Sequence, residues 1–199
     1  ETEMSNAPHT VIVGLGKTGV SCARHLAARG VKLAITDSRT SPPCLAVLES
    51  LMRASAAPPV QLRLGGFDER LLENAQEIVV SPGVPLDEPL VRKAAAHGID
   101  VVGDIELFAR ALAAPDAASA AAAAPVIGIT GTNGKSTVTT LLTRMGEASG
   151  LRIRAGGNLG EPALDLLAQH AAAPAAPAPA ARGTAGPVGA GPDYYLLEL

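Results

Sequence analysis

Thr10-Val11-Ile12-Val13-Gly14-Leu15-Gly16-Lys17-Thr18-Gly19 decides the fold. Four β-branched residues in succession suit a strand buried on both faces, because branched side chains pack well on a pleated surface. A G-x-G-x-x-G spacing directly after such a strand, with a helical pattern starting near Thr18, is a turn in which backbone can approach a diphosphate closely. The helix N-terminus offers unpaired N–H groups and the positive end of its dipole there. Asp37 stands eighteen residues past Gly19, at the end of the next apolar run, where dinucleotide-binding folds put the carboxylate that holds a ribose.

Outward from this stretch, short apolar runs alternate with helical patterns. Leu33 to Thr36, Gln61 to Leu64, Glu77 to Val80 and Val101 to Val102 read as buried strands. Gly30 stops the first helix, Gly98 stops one running from Asp87 to His97, and a helix from Ile105 to Ala113 closes the set. Strands alternating with helices predict a Rossmann-like doubly wound parallel sheet over residues 1–112. Residues 113–125 are an Ala-rich stretch without an apolar stripe and read as a linker. A second α/β unit is predicted over 126–199, with a strand from Val126 to Thr130, a helix from about Lys135 to Ser149 stopped by Gly150, and a strand near Ile153. Its Ala/Pro/Gly-rich residues 171–192 read as a disordered insertion. Tyr194 to Leu199 is strand-like and ends without turn or cap, so a truncated P-loop domain is expected.

Composition narrows the classes. The apolar fraction is 47%, but much of it is alanine, and Phe67, Phe108, Tyr194 and Tyr195 are the whole aromatic complement; the core must be Val, Ile, Leu and Ala. A net charge of −3 gives no global attraction to nucleic acid or an anionic membrane. No apolar run reaches the ~20 residues of a membrane span, and the first residues lack the layout of a signal peptide. A cytoplasmic monomer is expected. Cys22 and Cys44 have no metal or disulfide spacing and read as reduced thiols. The four histidines, His9, His25, His97 and His170, show no convergent spacing and are assigned to surface or helix positions.

The second loop, Gly131-Thr132-Asn133-Gly134-Lys135-Ser136, again follows a strand and opens a helix. Successive N–H groups there form an anion nest, Lys135 reaches β and γ phosphates, and the hydroxyl of Ser136 or Thr137 suits Mg²⁺. The general P-loop pattern has another glycine six residues before the lysine; Ile129 stands at that position.

With that departure, Gly-Thr-Asn-Gly-Lys-Ser resembles the ATP loop of the Mur ligases and of folylpolyglutamate synthetase. Gly14 to Gly19 with Asp37-Ser38-Arg39, Ser81-Pro82-Gly83-Val84, Gly103 to Phe108, Gly156-Gly157-Asn158-Leu159-Gly160 and Leu197-Glu198-Leu199 resemble the Mur ligase branch that adds D-glutamate to UDP-N-acetylmuramoyl-L-alanine. The synthetase lacks a UDP-binding domain ahead of its ATP loop and resembles only the second half.

The resemblance implies a division of labour. Asp37 and Ser38 would lie near the uracil, and Lys17, Thr18 and Arg39 near the ribose and diphosphate, with Gly14, Leu15, Gly16 and Gly19 forming the loop beneath. Gly83 would sit beside the same diphosphate, and Asn158 would meet diphosphate or sugar. Gly131, Thr132, Asn133, Gly134, Lys135, Ser136 and Thr137 would hold ATP, with Ser136 and Glu198 around Mg²⁺ and Lys135 catalytic. The implied reaction is ATP-dependent amide ligation through an acyl phosphate in peptidoglycan precursor synthesis, with UDP-N-acetylmuramoyl-L-alanine and D-glutamate as partners. A carbamylated lysine, a histidine and a third domain would lie beyond Leu199, so residues 1–199 alone are expected to be inactive. A Mur ligase for another amino acid, an NAD-binding oxidoreductase or regulatory module, and a P-loop motor or switch are the alternatives. The last two each leave one loop idle.

Overall fold

The computed structural model describes residues 8–54, 61–113, 124–158, 160–172 and 191–199. The chain forms two compact units, Glu1–Leu107 and Phe108–Leu199. Most of the linker expected at 113–125, and of the insertion expected at 171–192, lies outside the described residues.

In the first unit the strands are β1 (His9–Val13), β2 (Leu33–Asp37), β3 (Gln61–Leu64), β4 (Ala75–Val80) and β5 (Asp100–Val102). They pair in parallel in the order β3-β2-β1-β4-β5. The chain steps outward from β1 through β2 to β3, then restarts at β4 on the other side of β1. The crevice beyond the carboxyl ends of β1 and β4 is therefore the topological switch point where such sheets bind ligands.

Every residue of β1 and β2 is buried, as continuous β-branched runs require when helices cover both faces. On one face Val11, Val13, Ala34, Ile78 and Val80 pack with Leu90, Val91 and Ala94 of α3 (Pro89–Ala96). Ile12 and Ile35 alternate to the other face, where α1 (Lys17–Ala27) lies along β1 and β2 and meets α2 (Leu45–Ala54). Pro89 opens α3, where its missing N–H costs nothing. The expected strands and helices are present with ends shifted by one or two residues.

Three features depart from the sequence reading. A 3₁₀ turn over Glu69–Leu72 was not expected. His9 is no surface residue: it is buried at the start of β1, with Nε2 2.9 Å from the Leu71 carbonyl oxygen. In the second unit, α6 (Ala163–Ala172) is an unforeseen helix, so Ala171 and Ala172, assigned to the insertion, are helical.

The second unit contains β6 (Val126–Ile129), α5 (Lys135–Ala148), β7 (Ile153–Gly157), α6 and β8 (Tyr194–Glu198). β8, last in sequence, is central in the order β6-β8-β7, and both pairings are parallel. Its start is fixed by Asp193, whose carboxylate accepts from the Arg152 backbone N–H at 2.7 Å and from its guanidinium at 3.0 Å. The Asp193 N–H returns a bond to the Arg152 carbonyl at 2.8 Å. Within this unit Tyr195 meets Phe108 edge to face, with ring centroids 5.3 Å apart. Phe108 lies on α4 (Asp104–Ala113).

Candidate functional site

One loop follows the first strand of each unit. In the first, Gly14 leaves β1 with φ +99°, and a Cβ there would stand 3.0 Å from Ser81 Cβ and Val84 Cγ2. A Cβ on Gly19 would fall 2.0 Å from the Gly14 carbonyl oxygen, so α1 can approach the strand only with glycine at that position. Around Gly16 there is open space. The outer glycines thus serve packing, and the middle one leaves room for a diphosphate to approach the backbone.

Gly16 is the N-cap of α1 in an extended conformation, and no side chain caps the helix. Among the described residues, the first N–H to reach back in this turn is that of Val20, to the Gly16 carbonyl at 3.1 Å. Lys17 is exposed and Thr18 half-buried beside these N–H groups. Such an uncapped helix end, with a cation at its rim, has the N–H groups and dipole that suit an anion.

Asp37, at the carboxyl end of β2, is 2% exposed. Its Oδ2 accepts the Leu15 N–H at 2.6 Å and Arg39 Nη2 at 2.7 Å. Its Oδ1 accepts the Arg39 N–H at 2.9 Å and Arg39 Nε at 2.8 Å. These four donors fill the acceptor positions of a carboxylate. The Arg39 guanidinium pulls the Asp37 pKa down to about 2, against the opposing effect of burial and with help from the Leu15 and Arg39 N–H groups. Ser38 and Arg39 are exposed, as is Gly83, which has open space around it.

Ser81, at the end of β4, is buried, and its hydroxyl donates to the Gly14 carbonyl at 2.9 Å. Its backbone N–H bonds the Val13 carbonyl at 3.0 Å. In the sequence this serine stands only in the Ser81-Pro82-Gly83-Val84 segment that carries the family resemblance. Its role depends on β4 lying beside β1, which no local pattern encodes.

In the second unit Gly134 caps α5 in the left-handed region, φ +78°, again without a side-chain cap. That conformation turns successive N–H groups the same way, as an anion nest requires. Lys135 Nζ donates to the Gly131 carbonyl at 2.7 Å, folding back across the loop it would neutralise a phosphate in. Thr132, Asn133, Ser136 and Thr137 are exposed.

Ser136 Oγ donates to Glu198 Oε1 at 3.2 Å, joining residues 62 apart. Glu198 is 5% exposed and pairs in register with Ile129 and Gly157, at the crest where all three strands end. Asn158 is held at this crest by its N–H bond to the Glu198 carbonyl at 2.9 Å. Gly157 is needed beneath it, because a Cβ there would fall 2.3 Å from that carbonyl oxygen.

A buried carboxylate bonded to one hydroxyl retains acceptor capacity, and a carboxylate with a hydroxyl beside a phosphate nest is a donor set suited to Mg²⁺. Among the described residues no three His, Cys, Asp or Glu side chains gather to hold a metal. A Mg²⁺ here would therefore draw further ligands from nucleotide phosphates and water, its usual habit.

Residues 8–103 match the family described as Mur ligase MurD-like, N-terminal domain. The chain is similar to curated ligases that add D-glutamate. It is 50% identical to the UDP-N-acetylmuramoylalanine–D-glutamate ligase of Nitrosococcus oceani over 97% of this chain and 35% of that protein. It is 43% identical to that of Coxiella burnetii over 98% of this chain and 36% of that protein. A solved murein peptide ligase from Psychrobacter arcticus aligns with 96% of this chain and 37% of its own, at 20% identity and a TM-score of 0.49. The chain thus spans about a third of the length of the relatives it matches.

Proposed function

We propose that the chain supplies the UDP-substrate unit and the first part of the ATP unit of a ligase joining D-glutamate to UDP-N-acetylmuramoyl-L-alanine. The observation carrying this reading is the 50% identity to the Nitrosococcus oceani ligase across 193 residues, a span that includes both phosphate loops. A dinucleotide oxidoreductase would leave the second loop idle, and a P-loop motor would leave the first.

The first loop then takes the diphosphate of the uridine substrate, with Gly14, Gly16 and Gly19 shaping the backbone and Lys17, Thr18 and Arg39 near the charge. Gly83 attends the same diphosphate. Support for uridine over NAD comes from Asp37: with its acceptor positions filled by Leu15 and Arg39, it has none left for a ribose diol. Ser38, exposed beside it, takes the uracil edge.

ATP occupies the loop from Gly131 to Thr137, and Mg²⁺, held by Ser136 and Glu198, supplies neutralisation of phosphate charge. Lys135 leaves the Gly131 carbonyl for the phosphates, adding a fixed positive charge where phosphoryl transfer builds negative charge. The substrate carboxylate attacks the γ phosphate, releasing ADP and forming an acyl phosphate, and the amine of D-glutamate then attacks the acyl carbon, releasing inorganic phosphate. The protein acts as a monomer in the cytoplasm; among the described residues no helix is long and apolar enough to cross a membrane. The test is phosphate release by the complete protein. Turnover should require both UDP-N-acetylmuramoyl-L-alanine and D-glutamate; equal turnover with L-alanine in place of D-glutamate overturns the assignment.

A further inference from the structure

The Gly14–Leu15 peptide is gripped at both of its polar ends by side chains from different strands. Its carbonyl accepts the Ser81 hydroxyl at 2.9 Å, from the end of β4. Its N–H donates to Asp37 Oδ2 at 2.6 Å, from the end of β2. β4 and β2 flank β1 on either side, so the two tethers pull from opposite directions across the switch point. All three residues are buried: Leu15 is 0%, Asp37 2% and Ser81 9% exposed.

We infer that Ser81 and Asp37 are positioning residues, which clamp the Gly14–Leu15 peptide so that the next N–H groups of the loop stay presented to a nucleoside diphosphate. The inference rests on the diphosphate reading of this loop. Its physical basis is the softness of the segment the clamp restrains. Gly14 has φ +99°, a region glycine shares with its mirror conformations at little cost, so the peptide after it can rotate unless tethered. Gly16, two residues on, has open space on its Cα and no packing of its own to stop the rotation from spreading.

A loop that samples a rotated peptide presents its N–H groups for only part of the time. Apparent affinity falls by the fraction that is competent. The clamp keeps that fraction near one without touching the ligand. Arg39, bidentate on Asp37, keeps the carboxylate charged and aimed.

Calorimetric titration of UDP into the 199-residue chain tests the inference, alongside melting temperatures and amide hydrogen exchange at Leu15. Ser81→Ala should weaken UDP binding roughly 5- to 20-fold, the loss expected for one buried hydrogen bond, with Tm shifted by no more than a few degrees. Ser81→Thr, which keeps the hydroxyl, should recover most of that loss. Leu15 exchange should accelerate at least tenfold in Asp37→Asn. Undiminished UDP affinity in Ser81→Ala, or equal losses in Ser81→Ala and Ser81→Thr, overturns the clamp. Should the unsubstituted chain take up no UDP, the diphosphate reading falls instead. The exchange data then still decide the clamp: Leu15 protection unchanged in both Ser81→Ala and Asp37→Asn overturns it.

Discussion

The two units repeat one plan, a parallel sheet with a phosphate loop after its first strand, but they secure it differently. In the first, β1 is buried at every position, and side chains from both neighbouring strands hold the loop. In the second, β6 is exposed along most of its length, with Val126 44% and Ile127 42% accessible. α5 rests on its sheet through the side bearing Thr139, which is buried, and Gly146, which faces Ile153. Val138, Leu141, Leu142 and Met145, spaced as one helical stripe, are all exposed. The loop there is crossed by Lys135, whose Nζ donates to the Gly131 carbonyl and in the proposed function leaves it for phosphate. The first unit is built to be finished before ligand arrives. The second carries an exposed apolar face on α5 and a loop whose own Gly131 carbonyl holds its lysine.

The contrast can be broken most sharply at the lysine. In the complete enzyme Lys135→Ala should lower turnover by about 10² to 10⁴, as expected for losing a charge donor from a phosphoryl-transfer site. Melting temperature should hardly move, because the side chain's bond is to an exposed loop carbonyl. A wild-type rate would remove this loop from the chemistry.

Core truncation probes the same contrast in stability. Ile12→Ala, at a fully buried position of β1, should cost about 2–5 kcal/mol in denaturant unfolding. Leu141→Ala, at a residue 56% exposed, should cost less than about 0.5 kcal/mol in this chain. Similar losses at the two sites would mean that the stripe on α5 is already covered.

How much of this could be seen in the sequence follows from which interactions are local. The β-branched runs of β1 and β2 and the glycine-lysine loops are written in consecutive residues, and their elements formed where expected. Sheet order is not local. That β8 runs between β6 and β7 depends on pairings such as Ile129 with Glu198, and those bring Ser136 to Glu198. Ser81 carries no local sign of its tether because its partner, Gly14, lies 67 residues away. His9 carried no helical or strand context of its own and is buried because the Leu71 carbonyl accommodates its ring. Asp37 was legible as a site carboxylate, but not as one already filled, because Arg39 and Leu15 reach it from different segments. α6 was hidden by alanine-rich composition that continues past its end.

A smaller effect sharpens the picture of the first loop. Asp37→Ala leaves the buried Leu15 N–H without an acceptor, a penalty of about 1–3 kcal/mol in unfolding free energy. The acid limb of stability should report the same group. Its pKa is held at about 2 against an ordinary 3.8, so the ionised form stabilises the fold above pH ~4. That stability, about 1–2 kcal/mol once the half-exposed Arg39 is allowed for, is lost as pH falls from ~4 through ~2. Asp104 works in the opposite sense: burial raises its pKa, so its ionisation opposes folding as pH rises. Acid titrations should therefore show a shallower decline in Asp37→Asn and a steeper one in Asp104→Asn than in the parent chain.

The central claim, that the first loop is built for a uridine diphosphate substrate and not for a dinucleotide, is most directly tested by calorimetric competition. UDP-N-acetylmuramoyl-L-alanine, UDP and NAD would each be titrated into the 199-residue chain. Saturable heat is expected for the two uridine ligands, with UDP displaced by the larger one and neither displaced by NAD. Micromolar binding of NAD, with neither heat nor competition from the uridine ligands, would contradict it.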